Sequence, residues 1–231
     1  MDGLFISASG IAAAQQRHSI TANNVANLRT PGYREARGEY IGRAGGGVEL
    51  GAAIRNSARG PLESTGRSLD AAVDGYFRLR DSNGNAAYTR DGRFGLSAEG
   101  EVVTASGLSL DPPVTVPPNT SSVTVGRDGT VFATVPGEVQ PQVVGQLDVV
   151  TFPNPGGLQS DGGNVYRATS ASGEPLPVQS PNVQTGILEH SNVNLVDQQV
   201  NQLLDRNLLQ ANANAFRAQS DLLGELIDLG R

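Results

Sequence analysis

The sequence predicts an α+β protein in which N- and C-terminal helices pair as a coiled coil, with an antiparallel all-β domain inserted between them. Apolar residues recur at helical spacing at both ends, and the middle alternates apolar with polar residues between turn dipeptides. The predicted divisions are an N-terminal helix in residues 1–40, a connector in 41–65, the β domain in 66–180 and a C-terminal helix in 181–231.

Residues 191–229 predict one long C-terminal helix, because neither proline nor glycine interrupts the pattern before Gly224. At 1.5 Å per residue this helix would extend roughly 58 Å. One broad apolar face comprises Val196, Val200, Leu203, Leu204, Ala211, Ala215, Leu222, Leu226 and Leu229. A separate stripe comprises Leu209, Phe216, Leu223 and Ile227, at spacings of seven, seven and four.

The separate stripe predicts contacts with other protein molecules. One face of the helix can pack on a partner helix of the same chain, which leaves the other four large side chains in water. Burying them would contribute roughly 6–12 kcal/mol before ordering costs, and leaving them bare would favour aggregation. We therefore predict that Leu209, Phe216, Leu223 and Ile227 are inter-subunit contacts in an assembly.

Residues 3–28 predict the partner helix. Its apolar residues share one face, and its alanines allow close approach of a second helix. The predicted seam places Leu4, Ile11 and Val25 against Val200, Leu204 and Ala211. His18, on the same face as the seam, is predicted to be a surface or seam residue, not a metal ligand.

The N-terminal helix is predicted to stop before Thr30-Pro31-Gly32, because a residue before proline avoids the α region and glycine permits a positive φ. Three amides, Asn23, Asn24 and Asn27, precede this stop. They are interpreted either as polar helix surface with C-capping or as hydrogen bonds that fix the register between neighbouring chains. The glycine-rich residues 42–51 that follow predict a flexible loop.

The middle of the chain predicts short antiparallel strands joined by tight turns. Turn dipeptides such as Asn83-Gly84, Glu99-Gly100 and Asp128-Gly129 separate them. The candidate strands are residues 71–73, 76–80, 87–89, 94–96, 102–104, 114–116, 122–125, 131–135, 143–150 and 165–168.

Composition excludes several function classes. The net charge is −6 and all 17 cations are arginines, which argues against nucleic acid or an anionic membrane as the main partner. With no cysteine and two histidines, neither a metal site nor a cofactor is predicted, and no segment is long enough to insert in a membrane. Residues 4–14 lack a preceding positive segment, so a cleaved signal peptide is not predicted.

Three stretches together resemble one known family. They are residues 22–34 (ANNVANLRTPGYR); residues 74–77 (DGYF), 88–94 (YTRDGRF) and 126–130 (GRDGT); and residues 186–194 (GILEHSNVN). The chain is similar to the bacterial flagellar rod and hook protein family, most closely to its distal or proximal rod members. The family signature falls on Asn23, Asn24, Asn27, Thr30, Pro31, Gly32 and Tyr33.

The resemblance implies a non-enzymatic axial protein of the flagellar basal body. Such a protein is exported through the flagellar export apparatus without a cleaved signal and assembles with itself and other rod or hook proteins. Its terminal helices line the inner layer of a helical tube that transmits torque, and its β domain faces outward, where surrounding ring proteins are further candidate partners.

Three alternatives stay open. The first is a short hook-type axial protein of the same family. The second is a secreted glycan-binding module formed by the β domain, although only 5% of residues are aromatic. The third is a cell-wall hydrolase, which needs two convergent acids in a cleft, whereas the acids here mostly occupy turn dipeptides.

Overall fold

The computed structural model describes residues 2–230, with side chains from Gly3 onward; Met1 and Arg231, the ends of the predicted terminal divisions, lie outside the described residues. It confirms an α+β chain with an N-terminal helix, many antiparallel strands and a C-terminal helix. The chain divides into two compact units. The helical unit contains the residues up to Leu28, Glu35–Asn56 and those from Val193 onward, and the β unit contains Arg29–Arg34 and Ser57–Asn192.

The helical unit consists of α1 (Asp2–Ala26), α2 (Leu195–Leu229) and a hairpin of β1 (Ala36–Gly42) and β2 (Val48–Arg55). Asn194 caps α2, because its side-chain oxygen accepts the backbone N–H of Val196 at 2.9 Å.

The hairpin replaces the flexible loop predicted for residues 42–51. Glycines 45–47 adopt positive φ at the turn, and the Val48 N–H donates to the Ser9 hydroxyl of α1 at 3.1 Å. The glycines therefore serve a tight turn between paired strands, and α1 supplies a contact that local composition does not reveal.

Polar and small residues form the contact between α1 and α2, which run antiparallel. A Cβ added at Gly3 or Gly10 would lie within 2.6 Å or 2.4 Å of the opposing side chain, so the helices approach closely there. Steps of seven along α1 match steps of seven back along α2: Gly3 lies against Gln219, Gly10 against Asn212, Arg17 against Asp205 and Asn24 against Gln198.

This contact differs from the predicted apolar seam. Leu4, Ile11 and Val25 are half-buried, but Val200 and Leu204 are 50% and 49% exposed and Ala211 is also exposed. The predicted seam lies on the most apolar face of α2. The structure instead places it where glycine and alanine on α1 let the backbones approach, which leaves the apolar face of α2 in solvent.

The β unit is built from short strands and one 3-10 turn at Pro155–Gly157. Its strands are β3 (Leu62–Ser64), β4 (Ala71–Ala72), β5 (Tyr76–Arg80), β6 (Ala86–Thr89), β7 (Phe94–Leu96), β8 (Val102–Thr104), β9 (Ser109–Leu110), β10 (Ser122–Val125), β11 (Thr130–Thr134), β12 (Gln142–Gln146), β13 (Val149–Thr151), β14 (Gln159–Gly162), β15 (Val165–Arg167), β16 (Leu176–Pro177), β17 (Gln184–Thr185) and β18 (Ile187–Glu189).

A nine-stranded sheet dominates the β unit. Its order is β14-β15-β6-β5-β9-β8-β7, with β13 pairing both β5 and β16. A second sheet has the order β10-β11-β12, and two-stranded ladders join β17 to β4 and β18 to β3. The main core is mostly aliphatic, with residues such as Leu79 and Val131 packed around Phe77, and a second, aromatic cluster contains Tyr76, Tyr88 and Phe152.

Most of the predicted strands form, and the turn dipeptides explain why. Gly84 and Gly129 adopt φ values of +83° and +88° at the β5–β6 and β10–β11 hairpins. Two predicted strands differ: residues 114–116 contribute only a single bridge from Thr115, and residues 143–150 divide into β12 and β13. The β unit also exceeds the predicted range of 66–180, because β3, β17 and β18 pair across the ends of that range.

Candidate assembly interface

The three predicted amides occupy different environments in the helical unit. Asn24 is buried, and its side chain bonds both backbone groups of Ala36: its Nδ2 donates to the carbonyl and its Oδ1 accepts the N–H, each at 2.9 Å. Asn23 is exposed, and its carbonyl accepts from Asn27 Nδ2 at 2.9 Å. Asn24 therefore fixes β1 to α1 within one chain.

Asn24 also belongs to a buried polar network that extends to α2. Its Nδ2 donates to Gln198 Oε1 at 3.1 Å, and Gln198 Nε2 donates to Glu35 Oε1 at 2.9 Å. All three side chains are buried. Neither Gln198 nor Glu35 was predicted as a site residue, because a polar side chain usually faces water.

An ion pair lies further along the same helix contact. Asp205 is buried, with Oδ1 2.7 Å from Arg17 Nε, and its Oδ2 accepts from the Thr21 hydroxyl at 3.4 Å. The Arg17 guanidinium also lies 6.0 Å from the centre of the Tyr40 ring, and burial raises the pKa of Tyr40. The seven-residue spacing of Gln198, Asp205, Asn212 and Gln219 was the signal that could have identified this polar stripe.

The remaining signature residues, 30–33, lie in the β unit, where the backbone groups of Pro31 and Gly32 form hydrogen bonds. The Pro31 carbonyl accepts from Asn164 Nδ2 at 2.8 Å, and the Gly32 N–H donates to the Glu189 carbonyl at 2.7 Å. Gly32 has a φ of +68°, and a Cβ there would lie 2.6 Å from the Arg90 carbonyl carbon. Tyr33 is buried beside them, whereas Thr30 is half-buried. Glycine is therefore required at position 32 for both conformation and space.

Arg34, the residue after this signature, forms an ion pair with Glu189, which lies near the other end of the β unit in the sequence. Its Nη2 lies 2.7 Å from Glu189 Oε1, and both side chains are buried. Burial and the neighbouring Arg90 lower the pKa of Arg34, while Glu189 raises it. The Gly60 N–H donates to the same carboxylate oxygen at 3.0 Å, and Arg59 lies 3.7 Å from the other oxygen. Glu189 is thus the common partner of two segments, residues 32–34 and 59–60.

The predicted inter-subunit stripe follows one side of α2. Leu209 and Leu223 are half-buried, whereas Phe216 and Ile227 are 38% and 65% exposed. Together with the exposed face that includes Val200 and Leu204, α2 presents apolar surface along most of its length. Surfaces of this kind mark interaction sites in soluble proteins.

A groove lies beside the helix contact. It has a volume of about 620 Å³ and is lined by His18 of α1 and by Gln199, Gln202, Leu203, Asp205, Arg206 and Leu209 of α2. Leu209, the N-terminal residue of the predicted stripe, therefore contributes to a concave surface.

Other kinds of site are not found in the described part of the chain. Within residues 2–230, no group of three or more histidine or acidic side chains is arranged to hold a metal ion. Among the described helices, none combines the length and the apolar character that crossing a membrane requires.

Comparisons with known proteins agree with the placement of the signature. Residues 4–34 match the family model described as flagella basal body rod protein, and residues 72–133 match the flagellar hook protein FlgE/F/G D1 domain. The flagellar basal-body rod protein FlgG of Buchnera aphidicola subsp. Schizaphis graminum is 33% identical, over 98% of this chain and 98% of that protein. The chain belongs to the flagellar basal-body rod protein family. Among relatives in Caulobacter vibrioides, FlgG is 34% identical over 75% of this chain and 76% of FlgG, and FlgF is 32% identical over 83% of this chain and 82% of FlgF.

Family membership gives the general function. The chain is a structural subunit of the flagellar basal-body rod, it is not an enzyme, and it assembles with other rod and hook components. The hook-type, glycan-binding and hydrolase alternatives are not favoured.

Proposed function

We propose that this rod protein polymerises through its terminal helices into a helical tube that transmits torque. The observation that carries the proposal is the apolar surface of α2, which has no covering element among the described residues: Val196, Leu203, Leu222 and Leu226 are each at least 60% exposed. Burying such a surface between copies contributes free energy that a monomer does not gain.

The specific contacts we propose are Leu209, Phe216, Leu223 and Ile227. Their seven-residue spacing over the first three suits helix-to-helix packing, and the exposure of Phe216 and Ile227 leaves both accessible to a neighbour. Within each subunit, we propose that α1 and α2 also pack as a coiled coil. The seven-residue steps of their polar contact support it.

Export and location are part of the proposal. Residues 4–14 lie inside α1, where Ala13 and Ala14 are buried, so their removal would cost the subunit its helix pair. We therefore propose export through the flagellar export apparatus with this segment retained. The β unit is proposed to face outward, where surrounding ring proteins are candidate partners.

The experiment is a Phe216→Asp substitution. A charge buried in an apolar contact is strongly unfavourable, so we expect polymerisation, measured by sedimentation and electron microscopy, to be lost while the β unit stays folded. Asn119→Asp is the control, because it adds the same charge at an exposed turn residue of the β unit, outside both helices. A Phe216→Asp protein that polymerises as well as the control would contradict the proposal.

A further inference from the structure

The end of α2 continues past the described start of α1. Because Gly3 lies against Gln219 and α2 runs to Leu229, about ten residues of α2 extend beyond this last contact, or about 15 Å of helix. We call residues 222–229 the α2 tip. In the described chain this segment has no helix packed against it.

The α2 tip is both apolar and acidic. Leu222, Leu226 and Ile227 are exposed, and Leu229 is 85% exposed. The acids Asp221, Glu225 and Asp228 accompany them, and the one cation that follows Arg217 in the sequence, Arg231, lies outside the described residues. Its occupant should therefore offer an apolar groove with a positive rim.

The groove beside His18 has those properties. Leu203 and Leu209 supply apolar walls, and the exposed Arg206 supplies a cation to a lining that also includes His18. The one acid in its lining, Asp205, is already paired with Arg17. The charge and polarity of the groove therefore complement those of the α2 tip.

We infer that the α2 tip of one copy seats in the groove of the next copy, an inference that rests on the proposed function and names its longitudinal contact. Groove and tip lie on the same continuous helix, with Arg206 and Ile227 about 32 Å apart, so one chain cannot make this contact with itself. A contact between two different patches repeats head to tail, and it builds an open filament when its rotation does not close a ring.

The test uses paired thiols, because the chain contains no cysteine. Ile227→Cys on the α2 tip is mixed with size-tagged Leu203→Cys at the groove, and the mixture is oxidised mildly. Two cysteines bond only when their Cα atoms approach within about 7 Å, so any product linking the two variants reports the contact between copies. We expect the mixed dimer as the main product, and a ladder of multimers when both substitutions are in one chain.

Leu204→Cys is the matched control. It is the next residue along α2, about 100° around the helix from Leu203, and outside the groove lining. Mixed dimers should be lost with this variant. Equal yields from Leu203→Cys and Leu204→Cys would overturn the inference.

A charge exchange provides a second, independent test. Arg206→Glu or Glu225→Arg alone should slow polymerisation, because each places two like charges across the contact. The two together should restore polymerisation, because the acid at position 206 then faces the cation at position 225. Failure of the double variant to recover any of the loss would overturn the assigned pairing.

The outcomes separate this inference from the proposed function. Filaments of the unchanged protein without mixed dimers would refute the tip-to-groove contact and leave helix-driven polymerisation intact, with another rod protein as the occupant of the groove. Mixed dimers from a protein that forms no filaments would support the contact and refute polymerisation. Neither dimers nor filaments would refute both.

Discussion

Arg34 and Glu189 form a buried ion pair within the β unit, with 2.7 Å between Arg34 Nη2 and Glu189 Oε1. The Glu189 carboxylate also accepts the Gly60 N–H, and the Glu189 carbonyl accepts the Gly32 N–H. One acid near the C-terminal end of the β unit thus holds the segment that carries the family signature. Because both charges are out of water, removing the Glu189 charge leaves the Arg34 guanidinium buried without this counter-charge.

Glu189→Gln is expected to destabilise the β unit by about 3–5 kcal/mol, the usual cost of removing one partner of a buried ion pair. Denaturant unfolding followed by tyrosine fluorescence measures this change. Glu63→Gln is the control: Glu63 pairs with His190 but is 64% exposed, so its loss should cost no more than about 1 kcal/mol. Similar losses for the two variants would show that Arg34 does not depend on Glu189.

Gly32→Ala is expected to destabilise the β unit more than Gly84→Ala. Both glycines have positive φ, so each substitution strains the backbone by about 1–2 kcal/mol. Only at Gly32 does the added Cβ meet backbone, at 2.6 Å from the Arg90 carbonyl carbon, whereas nothing lies within 4 Å at Gly84. Equal unfolding free energies for the two variants would mean that the segment shifts to relieve the clash.

Local sequence patterns predicted the parts of the fold that depend on neighbouring residues. The predicted strand 76–80 coincides with β5, because Gly84 specifies its hairpin turn and alternation specifies its faces. The long helices followed from their apolar periodicity. The β1–β2 hairpin was missed, because a glycine-rich loop and a glycine-rich turn have the same composition, and the Ser9 contact that favours the turn comes from α1.

The helix contact shows why the site was only partly predictable. The apolar pattern correctly indicated that α2 has more apolar surface than one partner covers, but it assigned Val200 and Leu204 to the contact with α1. The real contact depends on how closely Gly3 and Gly10 let the helices approach, and on polar partners such as Gln198 whose burial arises only after folding. Hydrophobicity alone does not encode either feature.

Asn24→Ala is expected to destabilise the helical unit by about 2–4 kcal/mol. The substitution leaves the N–H and carbonyl of Ala36 and the Gln198 side-chain oxygen without this partner in a buried site, and each such loss costs about 1–3 kcal/mol. Thermal unfolding followed by far-ultraviolet circular dichroism reports the helices. Gln16→Ala, at an exposed position on the same helix, should change stability by no more than about 0.5 kcal/mol. If the two alanine variants unfold together, the network does not stabilise the unit.

Asp81 is expected to make the stability of the β unit pH-dependent below pH 4. Its Oδ1 accepts the backbone N–H groups of Asn85 and Asn83 at 2.8 and 2.9 Å, and its Oδ2 lies 2.9 Å from Arg167 Nη2. The Asn85 N–H has the largest effect, and together these partners lower the pKa of Asp81 to about 2. The unfolded chain has an ordinary aspartate pKa of about 3.9. A carboxylate with a lowered folded-state pKa stabilises the protein above the unfolded pKa, and this contribution is lost as pH falls through the folded one.

The measurement is the difference in unfolding free energy between the natural protein and Asp81→Asn. This difference should be constant above about pH 5 and should shrink steadily between about pH 4 and pH 2. Protonation at low pH removes the Asp81 charge from the natural protein, and the substitution has already removed that charge from the variant. Ser82→Ala, at an exposed and uncharged position in the same turn, should show no such trend. A difference that is unchanged from pH 5 to pH 2 would mean that the turn is held by its glycine and backbone geometry, without a contribution from the Asp81 charge.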